Sequence, residues 1–255
     1  MIIEAQDLVK TYGSFAALRG LSLQVPAGSV FALLGANGAG KTTLIKILMN
    51  IIRPTSGRAM VLDTDARAVG PGLLAKIGYV SESQLLPGRL RVEEFFRYLR
   101  ACYAQWDRGA EAALRRQLQL PPERRIGALS HGMRMKLALA CALPFRPKLL
   151  VLDEPFSGLD ALVRDELVTG FAQRTDATTI FLSSHELDEV ERLATHVAFI
   201  DAGRLLFQGS IASLTAHAEP LLHATPAHDR QRASLRDVFI AMARGARERE
   251  RAMPG

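Results

Sequence analysis

The sequence predicts an α/β fold: a mainly parallel sheet covered by helices, with a helical stretch inserted into the middle of the chain. Three observations lead there. Short apolar runs bounded by turn residues, "SVFALLG", "KLLVLDEP" and "TTIFLSSHE", have the length and flanks of buried strands. Segments with apolar residues three and four apart lie between them and read as helices. The helical pattern from Val92 to about Leu143 separates the first strands from the later ones, as an inserted subdomain would.

In order, "IIEAQDLVKTYG" and "AALRGLSLQV" read as opening strands, followed by a Pro-Ala-Gly turn and the buried strand "SVFALLG". A helix begins at Lys41, with Leu44, Ile45, Ile47, Leu48 and Ile51 as its apolar residues, and "RPTSG" stops it. "VEEFFRYLRACYAQW" and "AEAALRRQLQL" are helices studded with arginine, and Pro121-Pro122 divides them from a third, "ALSHGMRMKLALACAL". "HVAFIDAGRLLFQGS" has the shape of a hairpin around Ala202-Gly203. A loop is expected from His217 to Pro226, then the amphipathic "SLRDVFIAMARGARERER", docked on the body, with "RERERAMPG" frayed. The expected division is residues 1–216 as the main domain, helical at about 85–147, and 217–255 as a C-terminal extension.

With 255 residues, 48% hydrophobic and 23% charged, the chain can bury a full core. No apolar run approaches bilayer-crossing length, and "MIIEAQDLVK" lacks the pattern of a signal peptide, so a cytoplasmic chain is expected. Cys102 and Cys141 read as buried thiols, neither a disulfide nor a zinc site. The net charge of +6 is unevenly placed: Arg89 to Lys148 holds 13 basic and 5 acidic residues. Such a stretch suits nucleic acid, anionic lipid, an acidic partner or simply solvent.

"GANGAGKT" fits G-x-x-x-x-G-K-[ST] and sits between a buried strand and a helix, the context that this motif requires. Gly35, Ala36, Asn37, Gly38, Ala39 and Gly40 would curl backbone N–H groups around phosphate oxygens at a helix N-terminus, with Thr43 completing the loop. Lys41 would reach the β- and γ-phosphates of a bound nucleotide, and the Thr42 hydroxyl would ligate Mg²⁺. "LLVLDE" supplies Asp153 for the metal and Glu154 as a general base. In "FLSSHE", His185 follows another apolar strand, placed either to sense the γ-phosphate or to serve as a structural hydrogen-bonder. Ser130 and His131 are adjacent, so their side chains diverge and make a poor catalytic dyad; Ser130 instead suits a helix N-cap.

The order of these parts resembles that of an ATP-binding cassette (ABC) ATPase, over residues 2 to about 210, and "YVSESQ", "LSHGM" and the tail resemble its export-type ABC-2 branch. The resemblance implies a P-loop NTPase with a mainly parallel sheet, an N-terminal antiparallel β subdomain and an inserted α-helical subdomain. "LSHGM" stands where the family carries L-S-G-G-Q, so Ser130 and Gly132 are implied to bind the ATP of the opposite subunit in a head-to-tail dimer, either a homodimer or a pair with another ABC subunit. His131, in place of a glycine, is expected to face solvent. Asp160 falls in "SGLD", which the family also places at the nucleotide. Tyr12 matches the aromatic residue stacked on adenine, an ordinary packed tyrosine being the alternative. Glu82 stands at the position of the family's glutamine loop, with Gln84 two residues on. A carboxylate there could ligate Mg²⁺ but would not donate an N–H bond.

The family implies ATP hydrolysis coupled to transport, with a separate transmembrane permease docked on the helical subdomain at the inner face of the membrane. Two other classes share the cassette: an ATP-gated regulator of a membrane complex, and a soluble ATPase acting on ribosomes or nucleic acid. The second usually carries two cassettes or a long coiled coil. This chain has one cassette and no such insertion, so no nucleic-acid partner is expected.

Overall fold

The structure, a computed structural model, describes residues 1–83, 85–172, 178–218 and 235–252. Strands β1 (Ile3–Tyr12) and β2 (Phe15–Val25) pair antiparallel across the turn at Gly13-Ser14. After β3 (Val30–Leu34), the phosphate-loop motif leads into α1 (Lys41–Leu48). β4 (Ser56–Val61) and the short β5 (Thr64–Asp65) complete a four-stranded sheet in the order β2-β1-β4-β5. α1 ends at Leu48, ahead of "RPTSG" and of the expected helical residue Ile51, and Ser56 and Gly57 already belong to β4. That strand is half solvated and lacks a clear apolar run, which hides it in the sequence.

A short helix α2 (Pro71–Leu74) and strand β6 (Ile77–Val80) precede three longer helices, α3 (Val92–Cys102), α4 (Arg108–Gln117) and α5 (His131–Ala142). Then come β7 (Leu149–Asp153), α6 (Ala161–Ala172), β8 (Thr179–Ser184), α7 (Leu187–Glu191), β9 (His196–Asp201), β10 (Arg204–Ser210) and α8 (Ile211–Ala218). The six-stranded sheet has the order β10-β9-β3-β8-β7-β6. All of its pairings are parallel except the β9–β10 hairpin.

The central strands β3, β8 and β7 are buried throughout and largely apolar because they have a core on each face. Val30, Ala32 and Leu34 of β3 join Leu150 and Leu152 of β7 in a core shared with α5. Phe31, Leu33, Leu149 and Val151 point the other way, into a core with α1 and the antiparallel sheet. The last described helix, α9 (Leu235–Ala252), buries Leu235, Val238 and Met242 in the first core, with Phe239 tilted against Phe199 at 5.3 Å. Residues 219–226 of the expected loop and the final Met253 to Gly255 lie outside the described residues.

The helical segment departs from expectation at the end of its first long helix. α3 ends at Cys102 and does not run on to Trp106, because Tyr103 leaves the helix to stack on Phe145 with centroids 4.2 Å apart. Asp107 then caps α4 by accepting the Ala110 N–H. The thiols also differ from each other: Cys141 is buried as expected, but Cys102, at the end of α3, is exposed.

Part of the basic charge in this stretch has an internal use. Glu111, only 3% exposed, accepts bonds from Arg100 Nε and Nη2 at 2.7 and 2.6 Å, from Trp106 Nε1 at 2.8 Å and from Arg115 Nη1 at 3.2 Å. Burial pushes the Glu111 carboxyl up, but the donors from Arg100, Trp106 and Arg115 outweigh it and hold the group below its ordinary value. Among the described residues, no helix is long and apolar enough to cross a membrane.

Candidate active site

Parallel pairing in the order β3-β8-β7 sets three carboxyl ends side by side, with Leu34 opposite Ser184 and Ser183 opposite Asp153. The glycine-rich loop, the Asp153-Glu154 pair and His185 each follow one of these ends. They converge in the crevice beyond the strand ends where open α/β sheets bind ligands.

The loop needs glycine at two of its positions for steric reasons. A Cβ on Gly35 would lie 2.4 Å from the Ile200 carbonyl oxygen. Gly40, immediately before α1, has φ +109°, and a Cβ there would come within 2.6 Å of the Ala17 carbonyl oxygen. With the loop so curled, Lys41 is buried. Its Nζ donates to the Gly35 and Ala36 carbonyls at 2.7 and 3.3 Å, and pairs with Glu154 Oε1 at 2.9 Å.

Glu154 adopts φ +52°, a left-handed conformation that costs a non-glycine residue roughly 1–3 kcal/mol and is typical of functional sites. Its N–H donates to Ser183 Oγ at 3.0 Å. Its other carboxylate oxygen, Oε2, lies 2.8 Å from His185 Nδ1. Ser183 in turn donates to Asp153 Oδ1 at 2.7 Å, and Thr42 Oγ1 donates to the same oxygen at 3.2 Å. Ser183 thus fixes both acids, while Lys41 and His185 hold the two oxygens of Glu154.

A cleft of 350 Å³ opens above these groups, lined by Tyr12, Phe15, Ala17, residues 37–43, Glu82, Glu154, Ser157 and His185. Of the anticipated residues, Gly35 and Ala36 lie behind the loop, where their carbonyls hold Lys41, and Asp153 lies beneath Thr42. Tyr12 is 48% exposed, not packed in a core, and Lys10 Nζ sits 5.0 Å from its ring centroid. Glu82 reaches the cleft; Gln84 lies outside the described residues.

Ser130, Gly132 and Asp160 do not line the cleft of their own chain. Ser130 caps α5 by accepting the Met133 N–H at 3.2 Å, and Asp160 caps α6 by accepting the Val163 N–H at 2.9 Å. A Cβ on Gly132 would stand 3.6 Å from Leu159. His131 is exposed, as expected, and its Nε2 also lies 3.0 Å from the Ser157 carbonyl oxygen.

Three participants escaped the sequence reading. Phe15 stands opposite Tyr12 across the β1–β2 turn and is 59% exposed. The signal was an aromatic residue on each side of the Gly13-Ser14 turn. Ser183 was legible only as a hydroxyl ending an apolar strand. Ser157 stands in the sequence only as the first residue of "SGLD".

These residues suit a magnesium nucleotide. Thr42 Oγ1 and Asp153 Oδ1 are adjacent oxygen donors, the hard ligands that Mg²⁺ prefers when phosphate oxygens and water supply the rest. The buried Lys41 ammonium suits phosphate charge, and Gly38, at φ +80°, lines the same cleft.

Comparison with known proteins places the chain in a family. A family model described as "ABC transporter" matches residues 18–157. The daunorubicin/doxorubicin resistance ATP-binding protein DrrA of Streptomyces peucetius is 34% identical over 235 residues, 90% of this chain and 71% of its own. The probable multidrug ABC transporter ATP-binding protein YbhF of Escherichia coli (strain K12) is 32% identical over 223 residues, 85% of this chain. The sulfate/thiosulfate import ATP-binding protein CysA of Bradyrhizobium diazoefficiens is 36% identical over 222 residues, 82% of this chain. The match spans only 38% of YbhF and 64% of CysA, so the chain corresponds to a part of these longer proteins.

Among solved structures, an ATP-binding subunit of an ABC transporter superposes with a TM-score of 0.82 at 24% identity, covering 95% of this chain and 100% of that one. A dimeric bacterial ABC transporter cassette gives 0.73 at 20% identity, over 82% of this chain and 98% of that one. Both likenesses concern the fold. A family match over more than half of the sequence, with relatives about a third identical along most of it, leads to one conclusion: this chain belongs to the ABC transporter family, as an ATP-binding cassette.

Proposed function

We propose that the chain is the ATP-hydrolysing subunit of a membrane exporter, working as a head-to-tail dimer on a separate permease. The observation that carries this reading is the convergence of Lys41, the Thr42–Asp153 pair and the Glu154–His185 pair in one cleft. The phosphates of ATP would take over Lys41 from Glu154 and lie on the N–H groups of residues 37–43. Tyr12 and Phe15 at the rim offer aromatic faces to the base. Mg²⁺, held by Thr42 and Asp153, would neutralise phosphate charge. Released from Lys41, the Glu154 carboxylate accepts the proton of the attacking water, while His185 keeps it oriented. Glu82 adds a carboxylate to the same cleft and shares the glutamine-loop role with Gln84 as candidate.

Ser130, Gly132 and Asp160 act on the nucleotide of the partner chain, which accounts for their distance from their own cleft. A neighbour of the same fold, described as dimeric, supports a dimer. Export is supported by the likeness to export-type cassettes and by relatives named for multidrug transport and for drug resistance. CysA, named for import, shows comparable identity, so direction needs its own test.

The test is an affinity pull-down of the Glu154→Gln protein from detergent-solubilised membranes with ATP and Mg²⁺. Recovery of a polytopic membrane protein, followed by ATP-driven efflux from vesicles containing both chains, is the expected result. Recovery of soluble protein, ribosomes or nucleic acid alone refutes the transporter reading, and uptake in place of efflux refutes the direction.

A further inference from the structure

We propose that His131 is a positioning residue that links the two nucleotide sites of the dimer, a role that rests on the head-to-tail arrangement proposed above. His131 is the first residue of α5, next to the capping Ser130. Its ring reaches across to the loop that follows Glu154. There Nε2 lies 3.0 Å from the Ser157 carbonyl oxygen, and the ring edge packs on Gly158, where a Cβ would meet it at 3.5 Å. A carbonyl only accepts, so Nε2 carries the hydrogen.

Ser157 is well placed to pass on a displacement. It lines the ATP cleft of its own chain, and its N–H donates to the Glu154 carbonyl at 3.2 Å. One residue is therefore held from both sides, by Glu154 through its N–H and by His131 through its carbonyl. The N-terminus of α5 faces the partner's nucleotide in the proposed dimer, whereas Ser157 and Glu154 face their own. Engagement of the partner's phosphates by α5 thus bears, through His131 and Ser157, on the backbone of the general base. A glycine at position 131, as in L-S-G-G-Q, has no side chain to make this bond.

The experiment compares native protein, His131→Ala and His131→Gln in steady-state ATPase assays over a range of ATP concentrations. Dimerisation of Glu154→Gln with ATP is measured alongside by size-exclusion chromatography with light scattering. In His131→Ala, ATP binding to the monomer stays native. Its kcat falls about fivefold, the effect of one neutral hydrogen bond. The Hill coefficient drops from about two, the number of sites, towards one. His131→Gln, whose amide N–H reaches the same carbonyl, keeps native values. A His131→Ala enzyme with native kcat and Hill coefficient overturns the link, as does a His131→Gln enzyme as impaired as the alanine variant. If Glu154→Gln stays monomeric with ATP, the dimer falls and the link with it. If it dimerises beside an unaltered His131→Ala, the link alone falls.

Discussion

Lys41→Met, studied without nucleotide, separates the structural role of the lysine from its role toward ATP. The ammonium lies 2.9 Å from Glu154 Oε1, with side chains 5% and 8% exposed. At that distance and an effective dielectric of about 20, the gross attraction is about 6 kcal/mol. Desolvation offsets much of it, and removing one member of a buried pair typically costs about 3–5 kcal/mol, because a charge stays behind unpaired. His185, 2.8 Å from the other carboxylate oxygen and partly exposed, softens the loss, so a value near 3 kcal/mol is expected. In Lys41→Met/Glu154→Gln no buried charge is left alone, and most of the lost stability returns. The assay is urea unfolding of the native, two single and double variants, followed by circular dichroism, with unchanged m-values as the check on two-state behaviour. A coupling of about 2 kcal/mol or more between the two positions is expected, whereas additivity within about 0.5 kcal/mol would refute the reasoning.

Ser183→Ala leaves the Glu154 N–H without its partner and takes one donor from Asp153; a loss of about 1–3 kcal/mol in thermal unfolding and a lower kcat are expected. Phe15→Ala should weaken binding of a fluorescent ATP analogue about three- to tenfold, and unchanged affinity removes Phe15 from the base site. Gly40→Ala places a Cβ 2.6 Å from the Ala17 carbonyl at φ +109° and should abolish nucleotide binding in equilibrium titration while the chain remains folded. The depressed Glu111 carboxyl contributes stability that is fully present above its unfolded value of about 4.5 and is lost as pH falls through its lower folded value. Glu111→Gln should therefore flatten the acid limb of a stability–pH profile, and a limb of unchanged slope would contradict this.

What the sequence made legible follows from how many constraints acted on each segment. Residues 30–34 and 149–152 must be apolar towards two cores, so strand and burial could both be read from the letters. The phosphate loop was legible because a steric need for glycine and a chemical need for lysine coincide within eight residues. β4 offers only one buried face and β6 only four residues, which is too little pattern to register. Phe15 and Ser183 matter through what lies across a turn or on a neighbouring strand, and a linear reading does not hold that information. His131 shows the same limit: its neighbour in sequence is Ser130, yet its partner is Ser157, 26 residues away.

The unequal burial of the two thiols also gives the native chain a spectroscopic handle. Cys102 stands exposed at the end of α3 while Cys141 is shielded within α5, so a maleimide dye applied to the folded protein attaches at one place. That place lies on the helical segment, remote in sequence from the loop that takes the phosphates. Energy transfer between such a dye and a fluorescent nucleotide would track the approach of the two regions in real time, with no cysteine added or removed.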